Sequence, residues 1–289
     1  MDVDPFLYIS LGVGVLLGYV SRPSGRWLSW ATQVTILVLL FFLGISIAAL
    51  PSAQILPAIG RSLLLVALVL GLTLLVAWSL RRGAPERRIG PAAGSRPAFP
   101  AFSALLVAAV IVGYVVGSRF PVSTQAPISY ALYALLLLVG LGLRLVVGVL
   151  RRLWVPLTSA VVGALAAGAI YALLTGTSLA ASWAVTLGFG WYSLDGPLVA
   201  ASAGASLGFV AFLSNFLREN LTMIVAPSAG SRFGGEGLTA MGGATSMDTT
   251  LYFITRYGDP DAGTLALASG LVLTVAASLL VPALLAIAA

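Results

Sequence analysis

Two short strings with one pattern hold the residues best suited to chemistry. Gly190-Trp191-Tyr192-Ser193-Leu194-Asp195 and Gly243-Ala244-Thr245-Ser246-Met247-Asp248 both fit G-x-x-S-[LM]-D and start 53 residues apart. Each places a glycine, a hydroxyl and a carboxylate inside a stretch otherwise apolar enough for lipid. Carboxylates are costly there and usually functional where they occur. Asp195 and Asp248 could bind an ammonium group or a coupling ion, with Ser193, Thr245, Ser246, Thr249 and Thr250 adding hydroxyls. Each Asp could equally cap the half-helix that follows it, and the strings could be small-residue bends used for helix packing. Trp191 and Tyr192 suit contact with a ligand's alkyl chain or ammonium, or ordinary core packing.

A third carboxylate, Glu219, sits mid-span beside Arg218 with apolar residues on both sides. A lipid-facing Glu would be costly, so it should face the protein interior or water. There it could bind a cation and exchange a proton, or it could form a structural ion pair with Arg218 or Arg232. Adjacent helical residues do not face each other, which weakens the Arg218 version. Asn215 lies four residues before Glu219 and shares its helix face. Glu236, at a Gly-rich entry, reads as solvated.

Composition fixes what surrounds these groups. Of 289 residues, 60% are hydrophobic and 8% charged, against roughly 25% charged in soluble globular domains. The class is an all-α polytopic membrane protein set in a lipid bilayer. A β-barrel would alternate in roughly 10-residue segments. There is no Cys, His or Lys, so the 15 basic residues are all Arg. Thiol chemistry is excluded, a transition-metal site is not expected, and carboxylates must carry any proton. The net charge of +6 lies mainly in loops and does not imply nucleic acid. No phosphate-binding loop and no H-E-x-x-H is present, so neither an ATP-driven pump nor an enzyme is expected. Asp2 and Asp4 replace a basic leader, so 6–20 reads as a retained first helix.

Apolar spans run at about 6–20, 28–50, 58–80, 101–119, 128–149 and 155–175, near the roughly 17–25 residues that cross a bilayer. They form two sets of three. Gly18-Tyr19-Val20 is echoed by Gly113-Tyr114-Val115, 95 residues on, and Leu39–Gly44 by Leu135–Gly140, 96 residues on. Two similar units of three helices sit in opposite orientations, an inverted repeat as in many secondary transporters. Residues 1–80 and 101–176 are the two scaffold units, and 81–100 is a cytoplasmic linker. The loops at 21–27, 81–100 and 144–152 hold most Arg residues, which places them in the cytoplasm and both termini outside. Residues 177–289 read as hairpin, span (205–229), hairpin, span (262–288). That gives about eight transmembrane helices plus two opposed re-entrant hairpins whose tips meet near the midplane. Two broken full spans, ten crossings in all, fit equally. Half-helix ends at the tips would offer N–H groups to a carboxylate and C=O groups to a cation, and a zwitterionic amino acid needs both.

In this setting the chain resembles the LysO family of bacterial and archaeal lysine exporters. The matching strings are Phe41-Phe42-Leu43-Gly44-Ile45-Ser46, Gly188-Phe189-Gly190-Trp191-Tyr192-Ser193-Leu194, Arg218-Glu219 and Gly243-Ala244-Thr245-Ser246-Met247-Asp248, in family order. The resemblance implies export of L-lysine and its toxic analogue thialysine in exchange for protons. It also implies an essential pair of intramembrane carboxylates, one of which matches Glu219. The other falls where this chain has Pro51. The first string also reads S-L-D-G where the family pattern has S-L-S-G, so we expect Asp195 to replace the missing acid.

Together these features lead to an expected secondary transporter of the prokaryotic cell membrane, working by antiport and alternating access, with an elevator-type moving unit at 177–289. Glu219, Asp248, Asp195, Ser193, Ser246, Thr245, Trp191, Tyr192 and Asn215 are its expected substrate and proton residues. No cofactor is expected, protons are the coupling ion with Na⁺ as the alternative, and a homo-oligomer is compatible with the architecture. The runner-up is a Na⁺-coupled or organic-anion carrier.

Overall fold

A computed structural model of the chain describes residues 5–21, 25–80, 101–120, 122–142 and 150–288. Among them every regular element is helical. They are α1 (Pro5–Ser21), α2 (Gly25–Ala48), α3 (Ser52–Leu80), α4 (Ala101–Arg119), α5 (Gln125–Gly142), α6 (Leu150–Thr175), α7 (Leu179–Thr186), α8 (Tyr192–Ala203), α9 (Ala205–Gly242), α10 (Leu251–Tyr257) and α11 (Ala262–Ala288). A 3-10 turn, Gly243–Met247, links α9 to α10. The Arg-rich segment 81–100, with Arg22, Arg144, Asp2 and Asp4, lies outside the described residues.

Where they are described the first six helices follow the apolar runs, and residues 143–149 of the run 128–149 lie outside the described residues. In lipid such runs have no backbone partner except their own turns, so helix is the only available form. Trp30–Ala48, Ser52–Leu80, Arg151–Thr175, Ala205–Met247 and Ala262–Ala288 are long and apolar enough to cross a membrane; Pro5–Ser21, Ala104–Arg119 and Gln125–Leu141 are shorter apolar helices. The chain is a multi-pass helical membrane protein.

These helices pack in pairs drawn from the first three and the next three. α1 packs on α5, α2 on α4, and α3 on α6. The glycines noted as echoes sit at those crossings. Gly14 and Gly18 meet the α5 backbone at Leu137, Gly140 and Leu141, and Gly113 meets the α2 backbone at Phe41. Gly44 faces Val110 and Tyr114, and Gly140 faces Leu11 and Val15. Small residues let helix backbones approach closely where lipid gives no hydrophobic drive to associate. Exchanging the two units maps α1–α5 onto α4–α2 and α3–α6 onto itself.

The later segments wrap against this base. α9 packs on α3, α6 and α8, and α11 packs on α7 and the 3-10 turn. One boundary differs from expectation. The helix expected to end at 229 continues as α9 to a single non-helical residue, Gly234, at φ 63 and ψ −171, and resumes to Gly242. Only glycine adopts that conformation without strain. Gly234 lies between the expected end of the span at 229 and the expected start of the next segment at 236, in the Gly-rich entry before Glu236.

Candidate functional site

Both G-x-x-S-[LM]-D strings are helix breaks, and they touch. In the first, Ser178 caps α7 by accepting from the Ala181 amide at 3.3 Å. The chain turns after Thr186, with Phe189 at φ 51 and Gly190 at φ 92. A left-handed phenylalanine is strained and persists only where its surroundings fix it. Here the ring is fully buried, and the Phe189 carbonyl accepts from the amide of Ala244 at 2.9 Å. That bond joins the first break to the second. The N–H groups opening α8 turn back on the loop: Trp191 donates to the Gly188 carbonyl at 2.8 Å and Tyr192 to Gly190 at 3.0 Å. The anion seat expected at this half-helix end is therefore partly filled from within.

At the second break, the last four carbonyls of α9 all have partners. Thr239 accepts from the Gly243 amide. Arg218 donates from Nη2 to the Ala240 carbonyl at 3.0 Å and from Nε to Met241 at 2.9 Å. Gly242 accepts from Thr245 Oγ1 at 2.9 Å. A helix end leaves four such orphans, and the cation that satisfies two of them is the chain's own guanidinium rather than a bound ion. Ser246 Oγ reaches the Gly243 carbonyl at 2.7 Å and Ala266 of α11 at 2.9 Å, and Thr250 Oγ1 reaches the Thr245 carbonyl at 3.0 Å. The hydroxyls of Thr245, Ser246 and Thr250 thus bind backbone and hold the loop.

Glu219 is 1% exposed. Its carboxyl lies near the Thr249 side chain and close enough to Asp248 to feel its charge. Tyr192 lies in the field of both carboxylates, and its ring stands edge-on to Phe212 and Phe216, with centroids 6.0 and 5.5 Å away. Asp248 is exposed, and its Oδ1 accepts from the amide and hydroxyl of Thr249. Glu219, Asp248, Thr249 and Tyr192 form an acidic cluster whose exposed member is Asp248. Two acids with no cation between them make a site for a positive ligand. Arg218 does not pair with Glu219, because its Nε and Nη2 are held by the α9 carbonyls, and Arg232 is exposed.

Asp195 stands apart in a second environment. It is 0% exposed, Oδ2 accepts from Asn215 Nδ2 at 2.6 Å, and Oδ1 has no hydrogen-bond partner. Asn215 also accepts from the Gly190 amide at 2.7 Å and donates to the Val185 carbonyl at 3.1 Å, so it braces the first break from α9. Asp195 lies within the first turn of α8, whose N-cap, Trp191, makes no side-chain cap. Ser193 is buried, and Trp191 is half-buried against the main apolar core.

One cluster escaped the sequence reading. Arg152 of α6 donates from Nε to Glu236 Oε1 at 3.0 Å, from Nη2 to Asp259 Oδ2 at 2.5 Å and from Nη1 to Asp261 Oδ2 at 3.5 Å. Glu236 is therefore paired, not simply solvated. Its partners come from α6, from α9 beyond Gly234, and from the corner before α11. The available signal is that Arg152 belongs to an Arg-rich loop end while four of the nine acids fall at 236–261.

The family profile described as Lysine exporter LysO matches residues 104–285. The chain is similar to "Lysine exporter LysO" of Escherichia coli (strain K12), 32% identical over 298 residues covering 97% of this chain and 96% of the relative. It is also similar to "Putative lysine exporter" of Haemophilus influenzae, 29% identical over 179 residues covering 58% of this chain and 90% of the relative. No solved structure gives a significant match. The chain belongs to the LysO family of lysine exporters.

Proposed function

We propose that this protein exports L-lysine or a similar cationic amino acid from the cytoplasm in exchange for protons, by alternating access. The observation that carries the reading is the buried Glu219 facing Asp248 and Thr249 at a helix break, in a chain whose relatives are named lysine exporters. Glu219 and Asp248 take the substrate's ammonium when deprotonated on the cytoplasmic side, and protonation from outside displaces it. Protons are favoured over Na⁺ because the helix-end carbonyls that would serve a metal cation already accept from Arg218, Thr245 and Gly243. Residues 1–80 and 101–176 serve as inverted scaffold units, which the α1–α5 and α2–α4 crossings support. Residues 177–289 serve as the moving unit, with both termini outside the cell. Asp195 takes the part of the second acid.

Counterflow of radiolabelled L-lysine in proteoliposomes under an imposed pH gradient tests this, in wild type and Glu219→Gln. Gradient-driven flux that the substitution abolishes is the expected result. Wild-type protein that is folded but moves no lysine would overturn the substrate assignment, and gradient-driven flux surviving Glu219→Gln would overturn the carboxylate mechanism.

A further inference from the structure

We propose that Arg218 binds the carboxylate of the transported amino acid through its Nη1, while its neighbour Glu219 takes the ammonium end. The proposal deepens the transport reading above and rests on it. Arg218 is 1% exposed, and Nη1 has no hydrogen-bond partner although Nε and Nη2 are held. A buried charged donor left unpaired is costly, and an orphan of this kind calls for a ligand. Arg218 also lines a small cavity together with Thr186, Ser214, Asn215 and, from α3, Val66 and Val69. At the start of α8, the other available seat for a carboxylate, the N–H groups of Trp191 and Tyr192 are turned back on Gly188 and Gly190. A planar guanidinium suits a carboxylate, not an amine. Arg218 and Glu219 are consecutive on α9, so their side chains leave the helix on different sides and address the two ends of one zwitterion.

The test compares ligands on the wild-type protein, so it does not depend on a variant folding. Purified protein in detergent is titrated with L-lysine and with L-lysinamide, which keeps both amines but replaces the carboxylate by a neutral amide. Lysinamide should need about tenfold or more higher concentration for the same rise in melting temperature, the loss expected for one charged hydrogen bond. In Arg218→Gln that gap should close. Equal potency of the two ligands on wild type would overturn the proposal while leaving lysine as substrate. If lysine itself fails to bind folded protein, the substrate assignment falls, and acetate against chloride at matched ionic strength becomes the probe. Stabilisation of wild type by acetate supports a carboxylate seat, and no response overturns it.

Discussion

The amide of Ala244 donates to the carbonyl of Phe189 at 2.9 Å. With this bond two segments 53 residues apart in their strings become one construction, and the geometry of each break depends on the other. Gly243 is the contact point. It sits at φ 63, and a side chain there would run into the Phe189 carbonyl and the Arg218 guanidinium. Gly243→Ala should therefore destabilise the protein by about 2–3 kcal/mol or prevent folding, through both backbone strain and overpacking. Thermal unfolding in detergent reads this directly, and a melting temperature equal to wild type would show that the tips do not depend on each other.

Arg218 braces the same junction from below. Arg218→Met removes the partners of two helix-end carbonyls and should cost about 2–4 kcal/mol, since each buried acceptor left unpaired costs about 1–3 kcal/mol. Arg218→Lys keeps the charge but lacks the fork that serves Ala240 and Met241 together. It should fall between the two. A lysine variant as stable as wild type would reduce the arginine's part to charge alone.

Asp195 separates two roles that a single substitution would confuse. Asp195→Asn keeps an acceptor for Asn215 and should stay within about 1 kcal/mol of wild type in stability, whereas Asp195→Leu strips Asn215 of that partner and should cost about 1–3 kcal/mol. As the second acid of the transport cycle, Asp195→Asn should fold but lose gradient-driven flux. Normal flux in that variant, with flux lost in Glu219→Gln, would remove Asp195 from the cycle.

Arg152 and Glu236 link α6 to the far half of α9. Their side chains are 32% and 14% exposed, so the pair is partly screened. A double-mutant cycle with Arg152→Ala and Glu236→Gln should give a coupling of about 0.5–1 kcal/mol at low salt, shrinking in high salt. Coupling that does not respond to salt would mean the pair is shielded more fully than its exposure indicates.

Much of this architecture is readable from the chain, and the limits have physical causes. The long Leu, Val and Ala runs set α1 to α6 because lipid permits no alternative backbone pairing. The glycine-bearing strings at 190 and 243 are visible as breaks, because polar and small residues interrupt those runs. Which residue of the Gly-rich stretch 230–237 leaves the helix is not visible, since Gly230, Gly234, Gly235 and Gly237 all permit it. Nor is the work of Arg218, whose bonds to Ala240 and Met241 span more than 20 residues and two elements. For Glu219 the sequence gives burial and carboxyl chemistry, and only the fold brings Thr249 and Asp248 to it. Periodicity puts Asn215 on one helix face with Glu219, whereas its bonds to Gly190 and Asp195 arise from the turn it holds, which no periodicity encodes.

The glycine crossings of α1 with α5 and of α2 with α4 have a consequence for how the protein is made. Helices leave the ribosome in order, so α1 and α2 enter the bilayer before their partners exist. Their glycine-lined faces must wait in lipid through the synthesis of α3 and the segment that follows it. A cell that slows translation in that interval lengthens the exposure of an incomplete bundle to membrane quality control.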